Sequence, residues 1–167
     1  MRQVSLFNSG EYVIYPAHGV GIVKDIEKQT VSGFDIELLV IDFDHERMTV
    51  RIPVAKAKTA GLRSLSTQKE MRDAIRVLNQ KGRVKRTMWP RRAQEYEAKI
   101  NTGSPTMLAE VLRDLYRHDD QNEQSYSERQ MYLSALTRLA KEYALVENVE
   151  SELAVKTLEN RLQKKIV

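Results

Sequence analysis

Ten residues, Arg83 to Arg92 (RVKRTMWPRR), combine the chain's single tryptophan with a run of cations. Arg83, Lys85 and Arg86 precede Trp89, Arg91 and Arg92 follow it, and no acidic residue interrupts them. That combination suits nucleic acid. Arginines and a helix N-terminus hold phosphates, and a large apolar ring can pry at a base step in the minor groove. Pro90 marks a helix start, because its missing N–H would have no intrahelical partner there. Ala93, Tyr96 and Ile100 then recur at helical spacing. The pattern therefore places Trp89 just outside a helix N-terminus, where its ring need not point inward. The alternative is a core Trp beside a solvated basic face, since Trp is highly buried on average.

Other constellations carry little chemistry. His18, His45 and His118 lie far apart and form no i, i+4 pair. No H-E-x-x-H occurs, and no carboxylate cluster has metal-loop spacing. Cysteine is absent, which removes thiolate nucleophiles, thiolate metal sites and disulfides. There is no G-x-S-x-G. Gly19 and Gly21 form a lone G-x-G that leads into a strand, not a phosphate-binding helix. Asp42, Asp44 and Glu46 alternate but read as a solvated turn. A non-enzymatic protein with no metal and no cofactor is expected. Met48, Thr49, Val50, Arg51 and Ile52, ended by Pro53, form a short alternating strand. Such a strand could offer its backbone to a partner's strand; alternatively it is an interior or protected edge strand. Tyr12, Tyr15, Phe34 and Phe43 could form an aromatic cage for a methylated side chain, or simply serve as core.

The elements that must hold these residues divide the chain in two. From Phe7 to about Leu65 the pattern is β: Glu11–Tyr15, Val20–Ile26, Phe34–Phe43 and Met48–Ile52 read as strands. Turns fall at Ala17–Gly19, Thr30–Gly33 and Asp44–Arg47. Several short strands at regular spacing predict a small closed or half-closed barrel. Composition changes near Gly61–Ser66, and helices follow. Thr67-x-x-Glu70 is a capping box ahead of Met71, Ala74, Ile75 and Leu78. Pro90 opens a helix to about Asn101, ended by Gly103, and Ser104-Pro105 opens the next, with Leu108, Val111, Leu112 and Leu115 facing inward. His118–Ser125 is a polar loop. Ser127-x-x-Gln130 reads as a second capping box before a helix to about Glu147. A last helix covers roughly Glu150–Lys165, with Leu153, Leu158, Leu162 and Ile166. The expected architecture is α+β: a β domain over residues 1–65 and a five-helix bundle over 66–167.

Charge follows the same division. The chain's 167 residues carry a net charge of +4. Eight Lys/Arg balance eight Asp/Glu up to Arg63, and the excess lies beyond it, nineteen against fifteen. A local basic patch says more about an anionic partner than the overall balance does. The first residues, MRQVSLFNSGEY, hold no apolar run fit for a signal peptide, and no stretch reaches membrane-spanning length. A cytoplasmic protein is expected.

Four motifs spread along the chain resemble the CarD family of bacterial RNA polymerase-binding transcription regulators, in its CdnL branch. They are GEYVIYPAHGVG at Gly10–Gly21, TVRIP at Thr49–Pro53, WPRR at Trp89–Arg92 and AEVLRDLYR at Ala109–Arg117. A β module similar to the first part occurs in transcription-repair coupling factors, whose motor motifs are absent here. The resemblance implies a Tudor-like N-terminal barrel that docks on the RNA polymerase β subunit. In it the strand Met48–Ile52 adds edge-on to that subunit, with Arg51 matching a family contact. Gln29 occupies a position that is basic in some relatives, so its polar contact is weaker or replaced. The helical part would lie on promoter DNA at the upstream edge of the melted region. Trp89 matches the family's minor-groove wedge, and Arg91 and Arg92 match its phosphate-contacting neighbours. The expectation is a monomeric regulator, without membrane contact, that stabilises the open complex with little sequence specificity. The rival is a standalone nucleic-acid binder that uses the β domain as a scaffold.

Overall fold

In a computed structural model, which describes residues 7–43, 47–83, 86–117 and 124–166, the chain is α+β. It divides into two units, Met1–Leu65 and Ser66–Val167. The expected turn at Asp44–Glu46 and the loop residues 118–123 lie outside the described residues.

The first unit is built around one long hairpin. Strand β2 (Gly19–Val31) returns through Ser32 and Gly33 into β3 (Phe34–Phe43). Both turn residues have positive φ, 51° and 81°, the two-residue turn whose twist matches a right-twisted hairpin. β2 runs well past Ile26, where the sequence pattern faded. Its polar end is held across the ladder instead: Lys28 faces Glu37, and the Thr30 hydroxyl donates to Asp35 Oδ1 at 2.9 Å. Strand β1 (Tyr12–Tyr15) pairs with β2 on one side, and β4 (Met48–Pro53) pairs with β3 on the other. A two-residue strand β5 (Arg63–Ser64) follows the single-turn helix α1 (Val54–Ala57) and pairs with β1. All pairings are antiparallel, in the order β4-β3-β2-β1-β5. The expected barrel is thus an open five-stranded sheet: no pairing joins β4 to β5 among the described residues. With two residues, β5 is too short to carry a ladder across that gap.

The inner face buries Val13, Val23, Leu39, Ile41, Phe43 and Ile52, with Phe7, Ala57 and Leu62. Gly21 is required there for space. A Cβ on it would lie 2.7 Å from Ile41 Cγ2 and 2.7 Å from Phe43 Cε1. The G-x-G of the sequence is therefore a packing feature.

The second unit holds five α-helices and a 3-10 turn among the described residues. Helix α2 (Gln68–Arg76) starts on the expected capping box: Glu70 N donates to Thr67 Oγ1 at 3.1 Å, and Thr67 N to Glu70 Oε1 at 3.3 Å. The 3-10 turn Val77–Asn79 follows. Helix α3 spans Trp89–Asn101 and α4 Pro105–Leu115, the latter capped by Ser104. Helix α5 (Tyr126–Glu147) starts two residues before the expected cap, on Ser125, whose Oγ accepts from Glu128 N at 3.2 Å. Glu128 also pairs with Arg117 at 3.5 Å, a distant partner that favours the earlier start.

Helix α6 (Ser151–Gln163) buries Ala154, Leu158 and Leu162, while Leu153 and Ile166 are exposed. A four-residue step back from Leu158 reaches Ala154, so the larger Leu153 falls off the buried face. The core joins Met71, Ile75 and Leu78 to Tyr96, Ile100, Leu112, Leu115, Leu139 and the buried face of α6.

Gly21→Ala should lower the stability of the first unit by about 1–3 kcal/mol, through overpacking against Ile41 and Phe43. Urea unfolding checks this; a loss within about 0.5 kcal/mol would show that the two side chains yield.

Candidate nucleic-acid interface and sheet edge

Helix α3 begins one residue earlier than Pro90 suggests. Met88 is the N-cap, in extended conformation, and Trp89 is the first helical residue. Arg91 N and Arg92 N both donate to Met88 O, at 3.1 and 3.2 Å. This shift changes what the indole touches. Trp89, Arg92 and Tyr96 fall at i, i+3 and i+7, on one face of α3. Tyr96 belongs to the buried core, and Trp89 is half-buried against that core instead of standing outside the helix. The indole and phenol centroids are 6.3 Å apart, and the Arg92 guanidinium lies 5.2 Å over the indole ring. Arg92 also hydrogen-bonds the Tyr96 phenol. Burial, reinforced by the Asp114 charge, pushes the Tyr96 phenol above its ordinary value of 10.0, with Arg92 opposing. The phenol is therefore neutral at physiological pH.

The cations predicted from the sequence separate accordingly. Arg83, Arg86 and Arg91 are exposed, whereas Arg92 is half-buried on the indole. Lys85 lies outside the described residues. Met88, which the sequence reading passed over, is 81% exposed at the helix tip, between Arg86 and Arg91 in sequence. The helix boundary was the signal for it: starting α3 at Trp89 leaves Met88 as the outward N-cap.

In the first unit, β4 is a terminal strand, so one row of its backbone groups faces away from β3. Its side chains alternate: Ile52 is buried, Met48, Val50 and Pro53 half-buried, Thr49 and Arg51 exposed. Thr49 Oγ1 donates to Asp42 Oδ1 at 2.6 Å, and Arg51 Nε pairs with Glu27 Oε2 at 3.2 Å. Gln29 is exposed two residues beyond Glu27 on β2, on the same face. The four aromatics considered for a cage do not converge. Phe43 is core, Phe34 is 75% exposed beside the hairpin turn, and Tyr12 and Tyr15 fall on opposite faces of β1. Tyr15 stacks instead on His18 at 5.2 Å and meets Phe43 edge-on at 6.1 Å. His45 and His118 lie outside the described residues. Among the described residues no group of three His, Cys, Asp or Glu could hold a metal ion, and no helix is long and apolar enough to cross a membrane.

The chain thus carries a β unit with a terminal strand, followed by a helical unit with a Trp near exposed arginines. Residues 7–66 match the CarD-like/TRCF RID domain, and residues 73–159 match the CarD C-terminal domain. The chain is also 28% identical, over 145 residues, to YdeB of Bacillus subtilis (strain 168), a protein named as a candidate transcription factor; the match covers 86% of this chain and 94% of that one. The chain belongs to the CarD/CdnL family. Membership makes it a transcription regulator that interacts with RNA polymerase.

The single Trp makes its seat measurable. Arg92→Ala should expose the indole face, giving a red-shifted emission and stronger acrylamide quenching in the unbound protein. Unchanged emission and quenching would mean that Arg92 does not cover the ring in solution.

Proposed function

We propose that this protein stabilises the promoter open complex by bridging RNA polymerase and DNA. The β unit, residues 1–65, docks on the polymerase β subunit by adding β4 to a strand of that subunit. Met48, Thr49, Val50, Ile52 and Pro53 form the docking edge, Arg51 supplies the charged contact, and Gln29 a lesser polar one. The helical unit, residues 66–167, lies on promoter DNA at the upstream edge of the bubble. Trp89 enters the minor groove, with Met88 ahead of it. Arg83, Lys85, Arg86 and Arg91 hold phosphates. Arg92, assigned to phosphate from the sequence, serves first to seat the indole. The reading is of a non-enzymatic, monomeric, cytoplasmic protein with no cofactor.

The observation that carries this reading is the indole at the first position of α3, only partly buried against the core, beside exposed Met88 and Arg91. Magnitudes allow the ring to be redeployed. Leaving a cation–π contact at a solvent-facing site costs about 0.5–1 kcal/mol. Stacking on a base returns about 1–3 kcal/mol. A ligand shifts an equilibrium only by its differential affinity, so a net gain of up to about 2.5 kcal/mol corresponds to at most roughly seventyfold in open-complex population. Tethering to polymerase supplies a high local concentration, so intrinsic DNA affinity can be weak. Phosphate contacts and a wedge read little base sequence.

One observation favours the rival reading, a standalone nucleic-acid binder. Arg51 is already paired with Glu27 inside the sheet, as a scaffold residue would be. Arg51→Glu separates the two. It sets like charges side by side and should abolish capture of the polymerase β subunit, while leaving binding to free duplex unchanged. Retained capture would favour the scaffold.

Trp89→Ala should shorten the lifetime of promoter open complexes to nearly that seen without the protein, with polymerase capture intact. A wild-type lifetime for this variant in a competitor-challenge assay would remove the wedge.

A further inference from the structure

The basic stretch is launched from a turn that is anchored by buried charge. Arg83 N donates to Asp114 Oδ1 at 2.8 Å, and the same oxygen accepts from Arg113 Nε at 2.9 Å. Arg113 Nη1 donates to Gln80 Oε1 at 3.0 Å. Lys165, at the far end of the chain, donates to Arg113 O at 2.8 Å and to Tyr116 O at 2.9 Å. Ile166 N donates to Asn79 O at 3.1 Å, and Asn79 and Arg161 bond each other reciprocally at 3.0 and 3.1 Å. Asp114 is 3% exposed, Arg113 4% and Lys165 8%. The turn threads closely through this cluster: a Cβ on Gly82 would lie 3.2 Å from Arg113 O and 3.5 Å from Lys165 Nζ.

Buried ion clusters are a costly way to gain stability, since desolvation offsets much of the attraction; the best-attested benefit is a fixed register. What this cluster fixes is a backbone. Lys81 and Arg83 keep their side chains exposed while Gln80, Gly82 and Arg83 are tied inward. Lys165 lies beyond the residues matched to the CarD C-terminal domain. We propose that Asp114, braced by Arg113 and Lys165, is a positioning residue that fixes the segment Asn79–Arg83, so that Lys81 and Arg83 hold their side chains outward to meet DNA phosphates. The proposal rests on the DNA-contact reading above.

Its test uses the sign of an effect. Asp114→Ala removes one negative charge, which by charge alone strengthens DNA binding, and also removes the oxygen that holds Arg83 N and Arg113 Nε. Positioning demands weaker binding. Glu97→Gln, an exposed site on α3, makes the same charge change without touching the turn. The full chain is titrated with a short duplex containing an unpaired bubble, at several salt concentrations. Glu97→Gln should bind as tightly as wild type or slightly tighter. Asp114→Ala, folded by circular dichroism, should bind roughly threefold or more weakly at about 0.15 M salt, with the log–log salt slope shallower by about 0.9, the loss of one phosphate contact. A folded Asp114→Ala that matches Glu97→Gln in affinity and slope overturns the proposal.

Should Asp114→Ala fail to fold, amide exchange of Arg83 in the wild-type chain decides. Protection well above that of exposed loop amides supports the tie; exchange as fast as theirs overturns it. Wild type failing to bind the duplex would sink the DNA-contact reading and the positioning role with it; a protected Arg83 amide would then show the tie to be structural only.

Discussion

The arrangement of the helical unit depends on how α3 seats one indole. A tryptophan at a helix start would gain most by burying its whole ring, and an exposed one would gain nothing from its size. Here the ring takes an intermediate course, against Tyr96 on the core side and beneath the Arg92 guanidinium. The core side is firm, because Tyr96 packs with Ile100, Leu112 and Leu115. The guanidinium side is weak, because a cation–π contact near solvent contributes about 0.5–1 kcal/mol. In the proposed function, that asymmetry lets the ring be ordered in the free protein and still be available to DNA.

The two units solve different problems with the same economy of side chains. In the β unit, β4 keeps the terminal place in the sheet, and its exposed side chains, Thr49 and Arg51, are held by Asp42 and Glu27. An edge strand bearing ordered polar groups resists indiscriminate pairing yet remains a template for a partner strand. In the helical unit the backbone of exposed Arg83 is tied from behind by Asp114, which Arg113 bonds and Lys165 backs through the Arg113 carbonyl. In the proposed bridge, each unit brings a modest affinity, and tethering makes the sum effective.

Much of this was legible in the sequence, element by element. The capping box at Thr67–Glu70, the start at Ser104-Pro105 and the strands Phe34–Phe43 and Met48–Ile52 are local signals, and they appear where those signals put them, the last strand running one residue further to Pro53. The misplacements share a cause. β2 outran its hydrophobic pattern because its polar end is held by Glu37 and Asp35 on the facing strand. The α5 cap moved to Ser125, where Glu128 meets Arg117, and Leu153 lost its inward place to Ala154 through its angle on α6. In each case a partner on a neighbouring element, or the face a neighbour required, outweighed a local preference of under about 1 kcal/mol.

Sequence alone determined which residues could do chemistry: the lone Trp among arginines, the short alternating strand ended by Pro53, and the division near Leu65. Residue type and spacing carry that information because hydrophobic periodicity and turn chemistry are local properties. Tertiary structure decided which of those residues are presented. It put Arg92 over the indole, turned Met88 outward, left β4 at the sheet's edge, and joined Asp114 and Lys165 behind Arg83. The edge place of β4 and the cluster behind Arg83 follow from contacts between positions distant in the chain, which no local window contains; the i, i+3 contact of Arg92 with Trp89 and the outward Met88 follow from where α3 starts and which face it buries.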